Sequence, residues 1–252
     1  MSIFKRKPKK KVARNERILA FENSTRVGSR GYTRLKDNIL YLNADGNCKV
    51  IQVESSLAHE CKTTVSANLA VNLGYTEKKV LVMDLDFRRP RSHRIFELDK
   101  ENGIAEYVLG SVSEKDIVKK TKYKNVDLIT RGAEVFNPSL IFVSDKFTQL
   151  MKYARDNYDY VILDCAPVLQ VSDYIQISKH SDGVLFLVAY GITPKNAVKE
   201  AAESLKKSGV KILGTVFTMY DRKGAKEYNH YYKYYYNYDD SYYADTEDGE
   251  EE

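Results

Sequence analysis

One short stretch constrains the fold of this chain more than any other: residues 54–64, Glu-Ser-Ser-Leu-Ala-His-Glu-Cys-Lys-Thr-Thr. The residues before it, 49–53 (Lys-Val-Ile-Gln-Val), are predicted to form a short buried strand. The residues after it, 65–73, have helical spacing, with Leu69 on the apolar face. A strand, a tight loop and a helix in this order predict a phosphate site, because loop N–H groups and a helix N-terminus attract anions.

The loop follows the P-loop motif G-x-x-x-x-G-K-[ST] only in part, since both glycines are replaced, by Ser56 and Cys61. A positive φ is expected at Cys61, where a non-glycine residue costs about 1–2 kcal/mol. The motif assigns Lys62 to β/γ-phosphate oxygens and Thr63 to Mg²⁺. Lys62 and the helix N-terminus also predict a lowered thiol pKa for Cys61.

Two later apolar runs end in carboxylates and extend the predicted site. Residues 80–86 end in Asp84 and Asp86, and residues 158–164 end in Asp164. Such runs are typical of buried parallel strands, and ligands bind beyond the carboxyl ends of these strands in open α/β sheets. The alternative for each acid is a solvent-facing strand end or a helix cap.

Strands and helices alternate along the remaining chain, which predicts an α/β fold with three layers, α/β/α, around a mostly parallel sheet. Helical spacing covers residues 29–42, 103–120 with an interruption at Gly110-Ser111, 138–157 and 194–208. Further strands are predicted at residues 126–129, 183–188 and 211–217. Thr193 is expected to cap the last helix, with Pro194 in its first turn.

The 252-residue chain has a net charge of +5 and a strongly basic N-terminal segment. Residues 5–17 hold eight Lys or Arg and one acid, Glu16. We interpret residues 1–28 as a flexible arm that is either simply solvated or attracted to anionic lipids or acidic partner tails. Nucleic acid is disfavoured as a partner because no reading helix or aromatic platform accompanies the arm.

The other end of the chain, residues 227–252, is rich in tyrosine and acids and is predicted to be a flexible low-complexity tail. A stacking or aggregation segment is one interpretation, and a cluster of phosphate acceptors is the preferred one. The nine candidate phosphoacceptors are Tyr228, Tyr231, Tyr232, Tyr234, Tyr235, Tyr236, Tyr238, Tyr242 and Tyr243. Residues 29–226 between the arm and the tail form the predicted P-loop domain.

Cysteine content and hydropathy predict a cytoplasmic location. The three cysteines, Cys48, Cys61 and Cys165, lack metal-ligand spacing and suit a reducing compartment. No apolar run approaches the roughly 18 residues of a membrane span, and the N-terminus lacks an apolar signal region.

From about Tyr32 to the tail, these segments resemble the bacterial tyrosine kinases of capsule and exopolysaccharide assembly. The family's two acids followed by Arg-Arg-Pro-Arg occur at residues 84–91, and its Walker B strand with a proline turn occurs at residues 161–167. Its Asn-Pro and Val-Ser-Asp motifs occur at residues 137–138 and 171–173. The terminal tyrosine cluster completes the resemblance.

The resemblance implies a P-loop NTPase fold and an ATP- and Mg²⁺-dependent protein-tyrosine autokinase that phosphorylates the tyrosine cluster in trans. Lys62, Asp84 as the candidate base and Asp86 would be catalytic, and Thr63, Asp86 and Asp164 would hold Mg²⁺. The implied nucleotide-binding residues are Ser56, Leu57, Ala58, His59, Glu60, Cys61, Lys62, Thr63 and Thr64. Arg88 and Arg89 would contact phosphates or a partner subunit, or are plain surface charge.

The resemblance also implies partners. It predicts a membrane-integral activator, the polysaccharide co-polymerase, whose cytoplasmic tail completes the active state. It further predicts a homo-oligomer, a cognate tyrosine phosphatase and a peripheral position at the inner face of the cell membrane.

Four departures from the family pattern predict weakened or specialised activity. Gly-Glu-Gly-Lys becomes His-Glu-Cys-Lys at residues 59–62, and the assembly motif Glu-x-x-Arg-x-x-Arg is altered at residues 30–36. Thr218 replaces an adenine-reading Asn, and Ala166 replaces the first proline of a pair. A pseudokinase scaffold that presents the tail to an active paralogue is therefore a second hypothesis. A membrane-cycling ATPase of the cell-division or partition type is a third, although it requires a lysine where Leu57 stands.

Overall fold

The computed structural model describes residues 27–220. The predicted tail and all but the end of the predicted arm lie outside these residues. Nine α-helices occur in the described part, in chain order α1 (Val27–Leu42), α2 (Lys62–Gly74), α3 (Ser92–Phe96), α4 (Ile104–Val108), α5 (Glu114–Ile117), α6 (Ser139–Phe142), α7 (Asp145–Asn157), α8 (Asp173–Ile177) and α9 (Lys195–Lys207). No described helix is long and apolar enough to cross a membrane.

The strands form a seven-stranded sheet in the order β3-β4-β2-β5-β1-β6-β7. All neighbouring strands pair in parallel except β3 and β4, which pair antiparallel at one edge. The strands are β1 (Val50–Ser55), β2 (Val80–Asp84), β3 (Val118–Lys120), β4 (Val126–Ile129), β5 (Tyr160–Asp164), β6 (Gly183–Ala189) and β7 (Ile212–Thr218). The prediction of a mostly parallel sheet is confirmed.

Helices cover both faces of the sheet because the central strands are apolar on both sides. Along β2, Val80 and Val82 pack into a buried cluster with side chains of α1, α2 and α3. Leu81 and Met83 point to the opposite face and pack with α4, α5 and α7. Each fully buried aliphatic side chain contributes about 1.5–3 kcal/mol. The three-layer α/β/α prediction is confirmed.

The region from residue 103 to residue 120 corrects the sequence prediction of one interrupted helix. It forms α4, α5 and then the edge strand β3, in which Val118 pairs with Ile129. Gly110 follows α4 with a φ of 81°, which ends the helical path. Residues 118–120 leave the helix because a strand partner distant in sequence is available, and helical spacing does not report such a partner.

Two other helix predictions also need correction. Residues 138–157 form two helices, α6 and α7, and Ser144 begins the second because its hydroxyl accepts the N–H of Phe147 at 3.1 Å. Thr193 does not cap α9, since the residue that precedes this helix is Pro194. The Thr193 hydroxyl instead donates to the carboxyl of Glu60, more than a hundred residues earlier. Helix α1 begins at Val27, two residues before the predicted start.

The strand order places the carboxyl ends of β1, β2 and β5 next to one another in the centre of the sheet. Strand β5 pairs with β1 on one side and with β2 on the other, and Asp84 lies opposite Asp164 in the register. The loop from Ser56 to Cys61 begins at the carboxyl end of β1 and therefore lies beside these acids. Residues distant in sequence therefore meet at the carboxyl ends of the central strands, where α/β sheets bind ligands.

Candidate active site

The loop between β1 and α2 has the backbone of a phosphate-binding loop although it lacks the glycines. His59 and Cys61 both have a φ of 68°, and Cys61 is the left-handed residue that precedes α2. The prediction of a positive φ at Cys61 is confirmed, and His59 shares this conformation. Side chains other than glycine pay about 1–2 kcal/mol each in this region. The fold therefore holds both residues in a conformation that their side chains disfavour.

Lys62 is the first residue of α2, and its side chain lies under the loop. It is 7% exposed, and its Nζ donates to Ser55 Oγ at 3.1 Å. Ser55 Oγ in turn donates to the carbonyl of Leu57 at 2.8 Å. These two hydrogen bonds hold the Lys62 ammonium beside the loop and near the N-terminus of α2. An anion bound there would contact both the ammonium and the helix N-terminus.

Asp84 and Asp164 are the two buried acids of the site, at the ends of β2 and β5. Asp84 Oδ2 accepts the N–H groups of Arg91 at 3.2 Å and Ser92 at 3.0 Å. Ser92 Oγ donates to Asp164 Oδ2 at 3.2 Å. Both carboxyl groups are fully buried. Ser92 was not predicted from the sequence, and it connects the two acids.

Burial raises the pKa of both acids. The pKa of Asp84 lies well above its usual range because of desolvation and the adjacent charge of Asp164. Desolvation also raises the pKa of Asp164, and the Thr63 hydroxyl and the Lys62 ammonium act in the opposite direction. Two buried acids at one point are costly without a cation, so the pair favours a bound positive charge.

The oxygens at this edge suit Mg²⁺. Asp84 Oδ1 and Asp164 Oδ1 are buried and lack a hydrogen-bond partner among the described residues. Carboxylate and hydroxyl oxygens are the ligands that Mg²⁺ prefers, and it usually binds through one or two carboxylates plus water and phosphate. Accordingly, no group of three or more His, Cys, Asp or Glu side chains in residues 27–220 forms a complete metal cage. Asp164, whose Oδ1 lacks a partner in the described part of the chain, suits such a partial ligand set, and the assignment of Thr63 and Asp86 as further ligands stays a prediction.

Asp86 lies in the turn after β2 and is half-buried. Its Oδ1 accepts the N–H groups of Arg88 at 3.2 Å and Arg89 at 2.9 Å. The Arg88 guanidinium forms an ion pair with Asp173, which also accepts Ser139 Oγ at 2.7 Å. This ion pair ties the turn to α6 and α8. Arg88 is thus held by an ion pair within the domain, and it also lines the cleft beside Lys62. Its contact with phosphates or with a partner subunit stays a prediction.

Arg89 and the loop residues line a cleft of about 220 Å³ beside Lys62. The exposed His59 lies at its rim, with Nε2 3.4 Å from Arg89 Nη1. Cys61 also lines the cleft, but the prediction of a low thiol pKa is wrong. Burial raises the pKa of Cys61, and the charge of Lys62 opposes this shift without overcoming it.

The structure brings together most residues that the sequence singled out. The loop from Ser56 to Thr64, with Lys62 and Thr63, lies beside Asp86 and the pair Asp84 and Asp164. Thr218, proposed to replace an adenine-reading Asn, lies at the end of β7, and its hydroxyl donates to the carbonyl of Glu60 at 3.2 Å. Thr193 was missed as a loop contact because its signal, a threonine before Pro194, also fits a helix cap.

Comparisons with known proteins agree with this geometry. A family model described as AAA domain matches residues 48–213. Tyrosine-protein kinase YwqD of Bacillus subtilis is 30% identical over 214 residues, which cover 85% of this chain and 90% of YwqD. Tyrosine-protein kinase etk of Escherichia coli strain K12 is 28% identical over 217 residues, and the match spans 86% of this chain but 30% of etk.

Solved structures give the same result. The chimerical protein CapA2B2 has a TM-score of 0.78 and 28% identity, covering 82% of this chain and 91% of that chain. MinD of Pyrococcus horikoshii, complexed with Mg-ADP, has a TM-score of 0.60 and 25% identity, covering 69% of this chain and 72% of that chain. The fold and the loop define a P-loop NTPase. Within that class, the chain belongs to the family of bacterial tyrosine kinases.

Proposed function

We propose that this protein is an ATP-dependent protein-tyrosine autokinase that controls capsular or exopolysaccharide synthesis and export. Family membership supports a kinase role, and the names of the relatives support tyrosine as the acceptor. The observation that carries the proposal is the meeting of Lys62, Thr63 and three carboxyl groups at one edge of the sheet. Phosphoryl transfer depends on such positioning and charge neutralisation more than on covalent help.

The proposed roles follow from the position of each group. Loop N–H groups from Ser56 to Thr64 and the Lys62 ammonium hold the phosphates of ATP. Thr63, Asp86 and Asp164 hold Mg²⁺, which neutralises charge on the phosphates when it is bound. Asp84 accepts the proton of an incoming tyrosine hydroxyl, a role that requires its ionised form. A nearby cation favours that form by lowering the pKa of the buried acid.

The proposed acceptors are the tyrosines between residues 228 and 243, supplied in trans by a second copy. Each phosphate adds about −1.5 to −2 charges, so several on an acidic tail would favour subunit separation. Incubation with Mg-ATP followed by mass spectrometry tests both activity and acceptor. We expect phosphotyrosine that depends on ATP and lies within this range. Phosphotyrosine confined to positions before Tyr228 would remove the acceptor proposal.

A pseudokinase scaffold is the second candidate, and one observation favours it: both glycine positions of the loop's second half carry side chains at a positive φ. Such a protein would present its tail to an active paralogue and transfer no phosphate itself. Purified protein with Mg-ATP separates the two candidates. Measurable nucleotide binding with phosphotyrosine supports the kinase, and the absence of both in the presence of an activator tail supports the scaffold.

The partners are also proposals. They comprise a membrane-integral activator with a cytoplasmic tail, a homo-oligomer and a tyrosine phosphatase, with the basic N-terminal segment near anionic lipid. Vesicle co-sedimentation tests the lipid contact. Binding should weaken as salt shortens the Debye length from roughly 30 Å at 0.01 M to about 8 Å at 0.15 M. Binding that is independent of salt and of anionic lipid content would exclude this contact.

A further inference from the structure

We propose that Glu60 is a positioning residue whose carboxyl group holds the phosphate loop in its binding conformation in place of the missing glycines. This inference rests on the proposed nucleotide function of the loop. Glu60 is assigned to nucleotide binding by sequence alone, as one of the loop residues. Its side chain contacts show a different task, because they are directed to the protein and tie the loop to two distant strand ends.

The contacts of Glu60 join three parts of the domain. Its Oε2 accepts the N–H of Leu57, within the same loop, at 2.6 Å. Its Oε1 accepts the Thr193 hydroxyl and, at 3.4 Å, the N–H of Ala189, both from the end of β6 and the turn after it. Its carbonyl accepts the Thr218 hydroxyl from the end of β7 at 3.2 Å. The residue is only 3% exposed, so these bonds are shielded from water.

Glu60 lies between the two strained residues, so its hydrogen bonds act on the strained part of the loop. His59 and Cys61 flank it, and both have a φ of 68°. Glycine adopts this conformation freely, whereas histidine and cysteine leave it unless the surrounding structure holds them there. The bond to its carbonyl fixes the peptide unit between Glu60 and Cys61, and the bonds to its carboxyl group fix the side chain of the residue that follows His59. The loop backbone therefore keeps the positive φ values typical of glycine although it has no glycine at these positions.

This arrangement predicts that Glu60 and the two strained residues depend on each other. A Glu60→Gln change replaces one accepting oxygen by a donor, which removes the acceptor of either the Leu57 N–H or the Thr193 hydroxyl. The Ala189 N–H still donates to Thr193 Oγ1 at 3.2 Å. In the parent loop, His59 and Cys61 can then relax and turn the N–H groups away from the phosphates. In a loop with His59→Gly and Cys61→Gly, the positive φ values no longer cause strain. The Glu60→Gln change should then have little effect on the loop conformation.

Calorimetric titration with Mg-ADP of four proteins tests this dependence: the parent, Glu60→Gln, the double-glycine variant, and the variant with all three changes. We expect Glu60→Gln to weaken binding at least tenfold in the parent loop and about threefold or less in the glycine loop. Thr193→Val should act like a weaker Glu60→Gln change, and Thr193→Ser, which keeps the hydroxyl, should restore parent affinity. Glu77→Gln, at an exposed positive-φ residue far from the loop, is the matched control. Equal losses in both loops would overturn the proposal.

Urea unfolding of the same four proteins without nucleotide makes the test independent of the proposed function. The glycine pair should raise the unfolding midpoint when Glu60 is present, because it removes held strain. It should not raise the midpoint in the Glu60→Gln background, where the loop has already relaxed. The same shift in both backgrounds overturns the role of Glu60. If none of the four proteins binds Mg-ADP, the proposed nucleotide function fails, and the urea comparison still decides the role of Glu60.

Discussion

The phosphate loop and the acidic strand ends lie at the same edge of the sheet, yet they have changed to different extents. The loop has lost the glycines of its motif, and His59 and Cys61 occupy the left-handed conformation in its second half. The strand ends retain their acids at Asp84, Asp86 and Asp164. Both regions nevertheless have the geometry expected of a P-loop site.

The two regions differ because the loop binds through backbone atoms, whereas the strand ends bind through side-chain atoms. A phosphate loop acts mainly through backbone N–H groups, so its side chains can change as long as other contacts hold the backbone. The acids act through their own carboxyl oxygens, and only another carboxylate side chain supplies the same charge and ligand atoms. The loop should therefore respond to substitutions by degrees, whereas the acids should respond sharply.

The sharpest test of this comparison is Asp84→Asn. We expect phosphotyrosine formation to fall about 10²- to 10⁴-fold, the range for loss of a general base. Mg-ADP affinity should change far less, because the proposed Mg²⁺ ligands are Thr63, Asp86 and Asp164, and Asp84 is proposed to act as the base. Single-turnover assays and calorimetry measure the two effects separately. Asp127→Asn is the matched control, since this buried acid accepts bonds from Lys120 and Tyr158 instead. Equal losses in both variants would indicate a folding defect.

A second test addresses Lys62, which is proposed to contact the phosphates through its side chain. Lys62→Met should lower phosphotyrosine formation about 10²- to 10³-fold, the usual cost of removing one preorganised charge-stabilising donor. Unlike the Asp84 change, it should also weaken Mg-ATP binding. Lys79→Met, at a lysine just before β2, provides the control. Unchanged phosphotyrosine formation in the Lys62 variant would exclude this loop as the phosphate site.

Much of the fold and of the site could be predicted from the sequence, and the exceptions share a physical cause. Apolar runs that end in Asp84 and Asp164 predict buried strands and their acidic ends, because burial and local pattern agree. Edge strand β3 was missed because its pairing with β4 is not visible in helical spacing. Ser92 and the contact of Thr193 with Glu60 were missed because they join segments far apart in sequence.

The loop itself gives a third, smaller effect. A protein with His59→Gly and Cys61→Gly should bind Mg-ATP about five- to thirtyfold more tightly than the parent. This range corresponds to about 1–2 kcal/mol, the part of the strain that the parent loop releases without nucleotide and that binding restores. Calorimetry measures the affinities. Glu97→Gly is the matched control, because Glu97 has a φ of 57° and lies outside the site. It should leave affinity unchanged.

The same pair of proteins distinguishes a strained loop from one that has lost its ligand. Tighter binding in the double-glycine variant, over measurable binding in the parent, supports an attenuated kinase. Absence of binding in both supports the scaffold. Bound nucleotide should also slow alkylation of Cys61 in the parent, and this reaction should be slow even without nucleotide because burial raises the pKa of the thiol.

The last prediction concerns stability, not activity or affinity, and it involves Glu54, a buried acid in β1 just before the loop. Its Oε1 accepts Gln52 Nε2 at 2.7 Å, and its Oε2 lacks a hydrogen-bond partner among the described residues. Burial raises the pKa of Glu54 to about 8, which Gln52, Lys62 and Cys165 reduce in part and Asp164 increases. Between pH 5 and pH 8 the folded protein therefore binds a proton that the unfolded chain has released.

This difference in bound protons makes stability fall as the pH rises through that range, by up to about 1.4 kcal/mol per pH unit, and level off above pH 8. Glu54→Gln removes the titrating group, so its unfolding free energy should depend less on pH than that of the parent. Urea unfolding at several pH values, without nucleotide or metal, measures both profiles. Asp84 and Asp164 also have raised pKa values, so only the difference between the profiles reports on Glu54. Parallel profiles from pH 5 to pH 8 would assign the whole response to the acidic strand ends and none to the strand that carries the loop.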